Sequence, residues 1–307
     1  MKQPTGALPT EHSYRGLSIT NLIALKLRIL AKFCVMLLKN PRQRRERLLA
    51  LRPLRGTQGG KSILVLGLGP SAGNLSIEAI CERQAAGNLK VISVNHFFES
   101  SFAKELVPDY YVLADPYFFG ENSLRGTNWH DVWEYLSVHP QITVFVPERY
   151  DAPADAVPQR LLYFNSLGLE GFSKSIDPTR PRGYLSMTAY SALSLAGFLG
   201  FSRILISGID NTQFRALRLM SDMTVGLASN HFYDGTVKIV RPLTHFPDGV
   251  PAFFEDVGRL FKDLHLFRSL PIENLDPETL VDAFPIAEDW VDYSRKIAAS
   301  DEEPMHL

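Results

Sequence analysis

The sequence predicts an α/β domain built on a mostly parallel sheet, preceded by a basic amphipathic helix. Three features carry that expectation: short apolar runs that stop at Gly, Asn or Asp, helical stretches between them, and a glycine-rich turn after the first run. Ser62-Ile-Leu-Val-Leu-Gly67 is that first run, and a short continuous apolar stretch closed by glycine reads as a strand buried on both faces. Gly69-Pro-Ser-Ala-Gly-Asn74 makes the turn, and Leu75 to Ala86 follows as a helix. Lys90 to Asn95 is the second strand, and Tyr110 to Asp115, followed by Pro116, is the third. Gln141 to Val146 is the fourth, stopped by Pro147, and Arg160 to Asn165 is a further short strand. Residues 166–183, rich in Gly, Ser and Pro, read as a loop. Thr188 to Leu199 is small and apolar throughout, as a buried helix would be, and Arg203 to Gly208 is another central strand. Strands alternating with helices imply right-handed crossovers, so the predicted class is a single Rossmann-like domain.

Composition sets the outer bounds. A chain of 307 residues is long enough to bury a core without disulfide staples. Its cysteines, Cys34 and Cys81, form no C-x-x-C pair, which argues against a disulfide framework or a zinc site and suits a reducing cytoplasm. The formal net charge is −1, so the molecule as a whole has no polyanion-binding character. Nucleic-acid binding is disfavoured because the basic residues gather on one segment without an aromatic stacking platform.

That segment runs from Lys26 to Arg55, where Glu46 is the only acid. At helical period Leu22, Leu25, Ile29, Phe33 and Met36 share a face, while Lys26, Arg28, Lys32 and Lys39 interrupt the apolar run. The run falls short of the roughly 20 nearly uninterrupted apolar residues of a spanning helix. It also starts late and lacks a cleavage site, unlike a secretory signal. Residues 21–55 therefore read as a partner for an anionic membrane surface, or as a helix packed on the domain with solvated basic residues. Arg52 to Gly60 is rich in chain breakers and reads as a linker.

Ligands of open parallel sheets sit beyond the carboxyl ends of the strands. Here those ends supply Gly67 to Ser71, Asn95, Asp115, and Ser207, Gly208 and Asp210. Each Asp or Asn taken singly is as well explained as a cap of the next turn; the set points to a ligand edge. The Gly67 to Gly73 turn suits close approach of a phosphate to backbone N–H groups. It is not a Walker loop, since no Gly-Lys-Ser/Thr closes it, and Asn95 stands where a dinucleotide-binding strand would end in an acid.

Taken in order, Gly67-Leu-Gly-Pro-Ser71, Ser93-Val-Asn-His-Phe-Phe98, Asp115-Pro, Ser207-Gly-Ile-Asp210, Ser229-Asn-His-Phe232 and Ile272-Glu-Asn-Leu-Asp-Pro-Glu-Thr-Leu-Val-Asp-Ala-Phe284 resemble the bacterial sialyltransferases of glycosyltransferase family 42. The resemblance covers roughly residues 62 to 285, with long unmatched stretches. It implies a metal-independent, inverting transfer from CMP-linked sialic acid or another nucleotide sugar to a glycan or lipid-linked acceptor, with no further cofactor. By position it implies Gly67, Gly69, Pro70, Ser71, Asn95 and Thr188 around the nucleotide, Asp210 as the strand-end acid and His231 as general base. Homo-oligomers are frequent in the family. The chain departs from it at Leu68, where the family has asparagine, and at Asn211-Thr-Gln-Phe-Arg215, where the family has tyrosines near the donor phosphate. Arg215 and Tyr233 are candidate replacements. The same turn and Asp-Pro pattern also resembles the 6-hydroxymethylpterin diphosphokinase-like proteins.

An imidazole suits base catalysis because its ordinary pKa lies near working pH, although a histidine beside Phe232 and Tyr233 also reads as a packed surface residue. His96 and His245 are further candidates. Residues 211–230 read as a lid that would exclude water from the donor. Asp222 and Asp234 make no convincing metal pair, Asp115-Pro116 is not an Asp-x-Asp motif, and no metal is expected. The expected organisation is a tail at 1–18, basic helix and linker at 19–60, the nucleotide-sugar domain at 61–290 and a tail at 291–307. The competing functions are a Mg²⁺-dependent diphosphokinase-like phosphotransferase and a non-catalytic nucleotide-binding protein of polysaccharide assembly.

Overall fold

The computed structural model describes residues 19–120, 129–154, 157–228, 231–232, 240–243 and 249–288. The tails at 1–18 and 291–307, Ser229, Asn230, Tyr233, Asp234 and His245 lie outside the described residues.

A seven-stranded parallel sheet forms the core, comprising β1 (Ser62–Leu66), β2 (Leu89–Val94), β3 (Tyr110–Val112), β4 (Thr143–Pro147), β5 (Arg160–Phe164), β6 (Arg203–Ser207) and β10 (Ile272–Asn274). The strand order is β10-β6-β1-β2-β3-β4-β5. Side chains alternate across β1: Ile63 and Val65 join the core on one face, and Leu64 and Leu66 the core on the other. All four are fully buried, which is why the run carries no polar alternation. The first face is covered by α5 (Thr188–Leu199) and α6 (Val250–Leu264), the second by α3 (Ile77–Ala85) and α4 (His130–Ser137). This is the α/β, Rossmann-like class the sequence predicts.

The chain marches from β1 outward to β5, then crosses back through α5 to β6 on the other side of β1. The topological switch point therefore lies between β1 and β6, where open sheets of this kind accept ligands. Because α5 runs back from the carboxyl edge to the start of β6, its N-terminus belongs to that edge.

The basic N-terminal segment forms two helices, α1 (Ile19–Leu38) and α2 (Pro41–Leu51), with Asn40 in the left-handed region between them. α2 covers the outer edge of β5, a strand that would otherwise present unpaired backbone groups. Its inward arginines hold it there. Arg47 donates to the carbonyls of Glu148 (2.7 Å) and Tyr150 (3.1 Å), pairs with Asp151 and lies over the Tyr163 ring at 4.1 Å. Arg44 pairs with Glu148 at 3.3 Å and donates to Asn165 Oδ1 at 3.1 Å. Leu51 is fully buried in the sheet core, and the breaker-rich stretch after it is packed as well: Gly56 and Gln58 N–H donate to the carbonyls of Phe198 and Leu199 at the end of α5. The stretch read as a lid contains β7 (Leu217–Leu219) and β8 (Val225–Ala228), which with β9 (Val240–Pro242) make a small antiparallel sheet.

Candidate functional site

The glycine turn is stapled to the end of β6. Gly67 N–H donates to Ser207 O (2.8 Å) and Gly69 N–H to Gly208 O (2.9 Å), so the ladder between the two strands continues past both. Ser71 completes the staple: its N–H donates to Asp210 Oδ2 at 2.9 Å, its hydroxyl donates to Asp210 Oδ1, and its oxygen accepts from Gly208 N–H at 2.8 Å. Burial pushes the Asp210 carboxyl up, against the Ser71 hydrogen bonds, which favour the ionised form.

The glycines are needed for this packing. A Cβ on Gly67 would stand 2.2 Å from Gly208 O, and one on Gly69 would stand 2.4 Å from Asp210 Oδ2. Gly208 has φ of 71°, and a Cβ there would meet Gly67 O at 2.6 Å. Pro70 opens a 3-10 turn, Pro70–Asn74, so the turn does not lead straight into α3, whose N-terminus is capped by Ser76 accepting from Ala79 N–H. The 3-10 turn and Ser76 therefore stand between the glycines and the first turn of α3.

A second helix, α5, also starts at this edge. α5 begins at Thr188 with no side-chain cap on its N-terminus. Its position is fixed by Asn95, whose Nδ2 donates to Thr188 Oγ1 at 2.9 Å. Asn95 sits at φ of 44°, a left-handed conformation that asparagine tolerates. Its Oδ1 accepts from Ala114 N–H (3.3 Å) and its carbonyl from Tyr111 OH (2.7 Å), so one residue ties β2, β3 and α5 together. Asp115 accepts from Tyr117 N–H at 3.0 Å and caps the next 3-10 turn. Ser207 is 1% exposed, at the end of β6.

His231 lies between β8 and β9 in the chain. Phe232 N–H donates to Leu68 O at 3.1 Å, and the Phe232 ring packs on Phe102 at 4.7 Å. The exposed His231 is thereby tethered beside the glycine turn. His96 lies on the same edge after Asn95; its Nδ1 is 3.0 Å from Glu99 Oε1 and its ring is 4.8 Å from that of Phe118. Sequence reasoning names His96 as a candidate without its carboxylate partner; the i,i+3 spacing to Glu99 is the signal for it once the segment is a 3-10 turn.

The structure thus groups Gly67, Gly69, Pro70, Ser71, Ser207, Gly208 and Asp210 at the switch point, joins Asn95 to Thr188, and hangs His231 from Leu68. Asn211, directly after Asp210, is buried and donates to Tyr190 OH at 3.0 Å. Arg215 is exposed and near enough to Asp210 to act on its carboxyl. Among the described residues, no three His, Cys, Asp or Glu side chains gather as a metal site.

Neither a protein-family model nor a curated protein matches the chain. Among solved structures it is similar to the MAf glycosyltransferase from Magnetospirillum magneticum AMB-1, at 14% identity and a TM-score of 0.40 over 80% of this chain. The chain spans 38% of the length of that protein. Likeness at this level identifies neither an activity nor a substrate.

Proposed function

We propose that the protein is a metal-independent, inverting glycosyltransferase, sialyltransferase-like, that takes a sugar from a CMP-linked or related nucleotide donor to a glycan or lipid-linked acceptor. The observation that carries this reading is the tether of Phe232 to Leu68. It sets His231 on the sheet edge that also holds the uncapped N-terminus of α5.

On this reading the donor phosphate lies at Thr188, where free backbone N–H groups and the helix dipole favour an anion. Asn95, pinned by its own hydrogen bonds, keeps that terminus in register with the glycine turn. His231 takes the proton of the acceptor hydroxyl as its oxygen attacks the anomeric carbon, opposite the departing nucleoside phosphate. Arg215 offsets charge on the leaving group in place of the family's tyrosines.

The test is thermal stability with CMP, CDP, UDP, GDP and ATP, each with and without Mg²⁺. A ligand at about 100 times its dissociation constant adds about 2.7 kcal/mol. Stabilisation by CMP without Mg²⁺ is expected. Stabilisation by ATP only with Mg²⁺ would replace this reading with the phosphotransferase, and silence towards all five nucleotides would replace it with a non-catalytic protein.

A further inference from the structure

The domain-facing side of α1 is the side on which Phe33 and Met36 are half-buried, with Lys26 lying over the Phe172 ring at 5.5 Å. The opposite side is apolar too. Leu27, Leu30, Cys34 and Leu38 follow one another at helical spacing along it, and all are exposed, Leu27 by 60% and Leu38 by 79%. Val35 and Leu37 widen the stripe at 58% and 38% exposure. A helix apolar on both sides has two surfaces to cover, and the domain covers one.

The charges around this stripe say what covers the other. Arg44 and Arg47 are turned inward and engaged. Lys39, Arg42, Arg45 and Arg52 are exposed, and none has a carboxylate partner among the described residues. Along α2, between the end of α1 and Thr179 of the domain, a cleft of about 350 Å³ is lined by Leu37, Leu48 and Leu49 together with Arg44, Arg45 and Arg52. Apolar walls with guanidinium groups fit an amphiphile bearing an anionic head. A second copy of the chain would set these cations against their own images in a two-fold interface.

We propose that α1 and the outward side of α2 dock on an anionic lipid bilayer, with Leu27, Leu30, Cys34 and Leu38 entering the interface and Lys39, Arg42, Arg45 and Arg52 meeting the head groups. No described helix is long and apolar enough to cross a membrane, so the helix lies along the surface. The entering stripe is the reverse of the Phe33–Met36 face that the sequence pattern favoured, because the domain has already taken that one. This docking is independent of the transferase reading.

Flotation of the full chain with vesicles tests it, using phosphatidylcholine alone and an equimolar mixture with phosphatidylglycerol. The wild type is expected to float with the mixed vesicles at low salt and to stay behind with phosphatidylcholine. Leu30→Glu with Leu38→Glu should abolish flotation. At about fivefold per cation near an anionic surface, Arg42→Gln with Arg45→Gln should weaken it roughly 25-fold. All four positions are exposed, so melting temperatures should match the wild type; Leu38→Glu alone serves if the double variant does not fold. A wild type that ignores mixed vesicles overturns the proposal, as does undiminished binding by the folded leucine variant. A dimer that the leucine variant dissolves, without vesicle binding by the wild type, would assign the face to a second copy instead.

Discussion

Replacing Gly67 by alanine separates two explanations of the glycine turn. The added Cβ would sit 2.2 Å from Gly208 O, whereas ordinary contact begins at 3.4 Å, so the strand ends must part by about 1.2 Å or distort. The obstacle is backbone, and Gly67 N–H is itself bonded to Ser207 O at 2.8 Å, so no side chain can swing aside. Overpacking of this kind costs about 1–3 kcal/mol, and the loss of glycine's unfolded-state freedom returns about 0.4–1 kcal/mol. The net, about 2 kcal/mol at the upper end, corresponds to a fall of roughly 4–8 °C in Tm for a domain of this size. Gly73→Ala is the matched control in the same turn, since its Cβ meets only Phe232 Cβ, at an ordinary 3.5 Å. Differential scanning calorimetry of both variants without ligand gives the answer. If Gly67→Ala melts with the wild type yet fails to bind any nucleotide, the glycine is there for the ligand and the packing argument is wrong.

Three other outcomes are expected. His231→Ala should lose sugar transfer while keeping CMP-dependent thermal stabilisation; retained turnover would remove His231 as the base. Arg47→Ala should cost about 1–3 kcal/mol, because it strips hydrogen bonds from the carbonyls of Glu148 and Tyr150, and amide exchange along β5 should quicken as α2 loosens. Burial holds the Asp263 carboxyl above its ordinary value, against the Leu185 N–H it accepts at 2.8 Å. Its ionisation therefore costs stability, and the cost sets in as pH rises from the unfolded value towards the folded one. The stability of wild type relative to Asp263→Asn, read from urea midpoints, should fall from about pH 4 towards neutrality, and a rise over that interval would contradict the sign.

What the sequence disclosed follows from where the structure hides its surfaces. β1 and α5 were legible because both are buried nearly all round, and Ile63 to Leu66 or Ala192 to Ala196 admit little else. α6 carries an equally plain pattern: Phe253, Val257, Leu260 and Leu264 recur at helical spacing and form its buried stripe. α2 was not legible as a packed element. Its attachment depends on Arg44 and Arg47 reaching residues more than a hundred positions away, while locally it shows only a run of cations with one fully buried leucine. Periodicity records burial of apolar side chains; a helix held by guanidinium–carbonyl bonds leaves no such record.

The same reasoning explains the site. Strand-end position told which polar residues share an edge, but not that they would engage one another first. Ser71 and Asp210 are 139 positions apart and Asn95 and Thr188 are 93 apart, and neither pairing has a local signal. With Asp210 committed to Ser71 and Asn95 to Thr188 and Ala114, these side chains act mainly as fasteners. A ligand at this edge would then be recognised chiefly by backbone N–H groups and by the later-arriving segment that carries His231. Backbone recognition tolerates exchange of the side chains around it, so a substitution at Leu68 would alter the specificity of such a site before it removed the site.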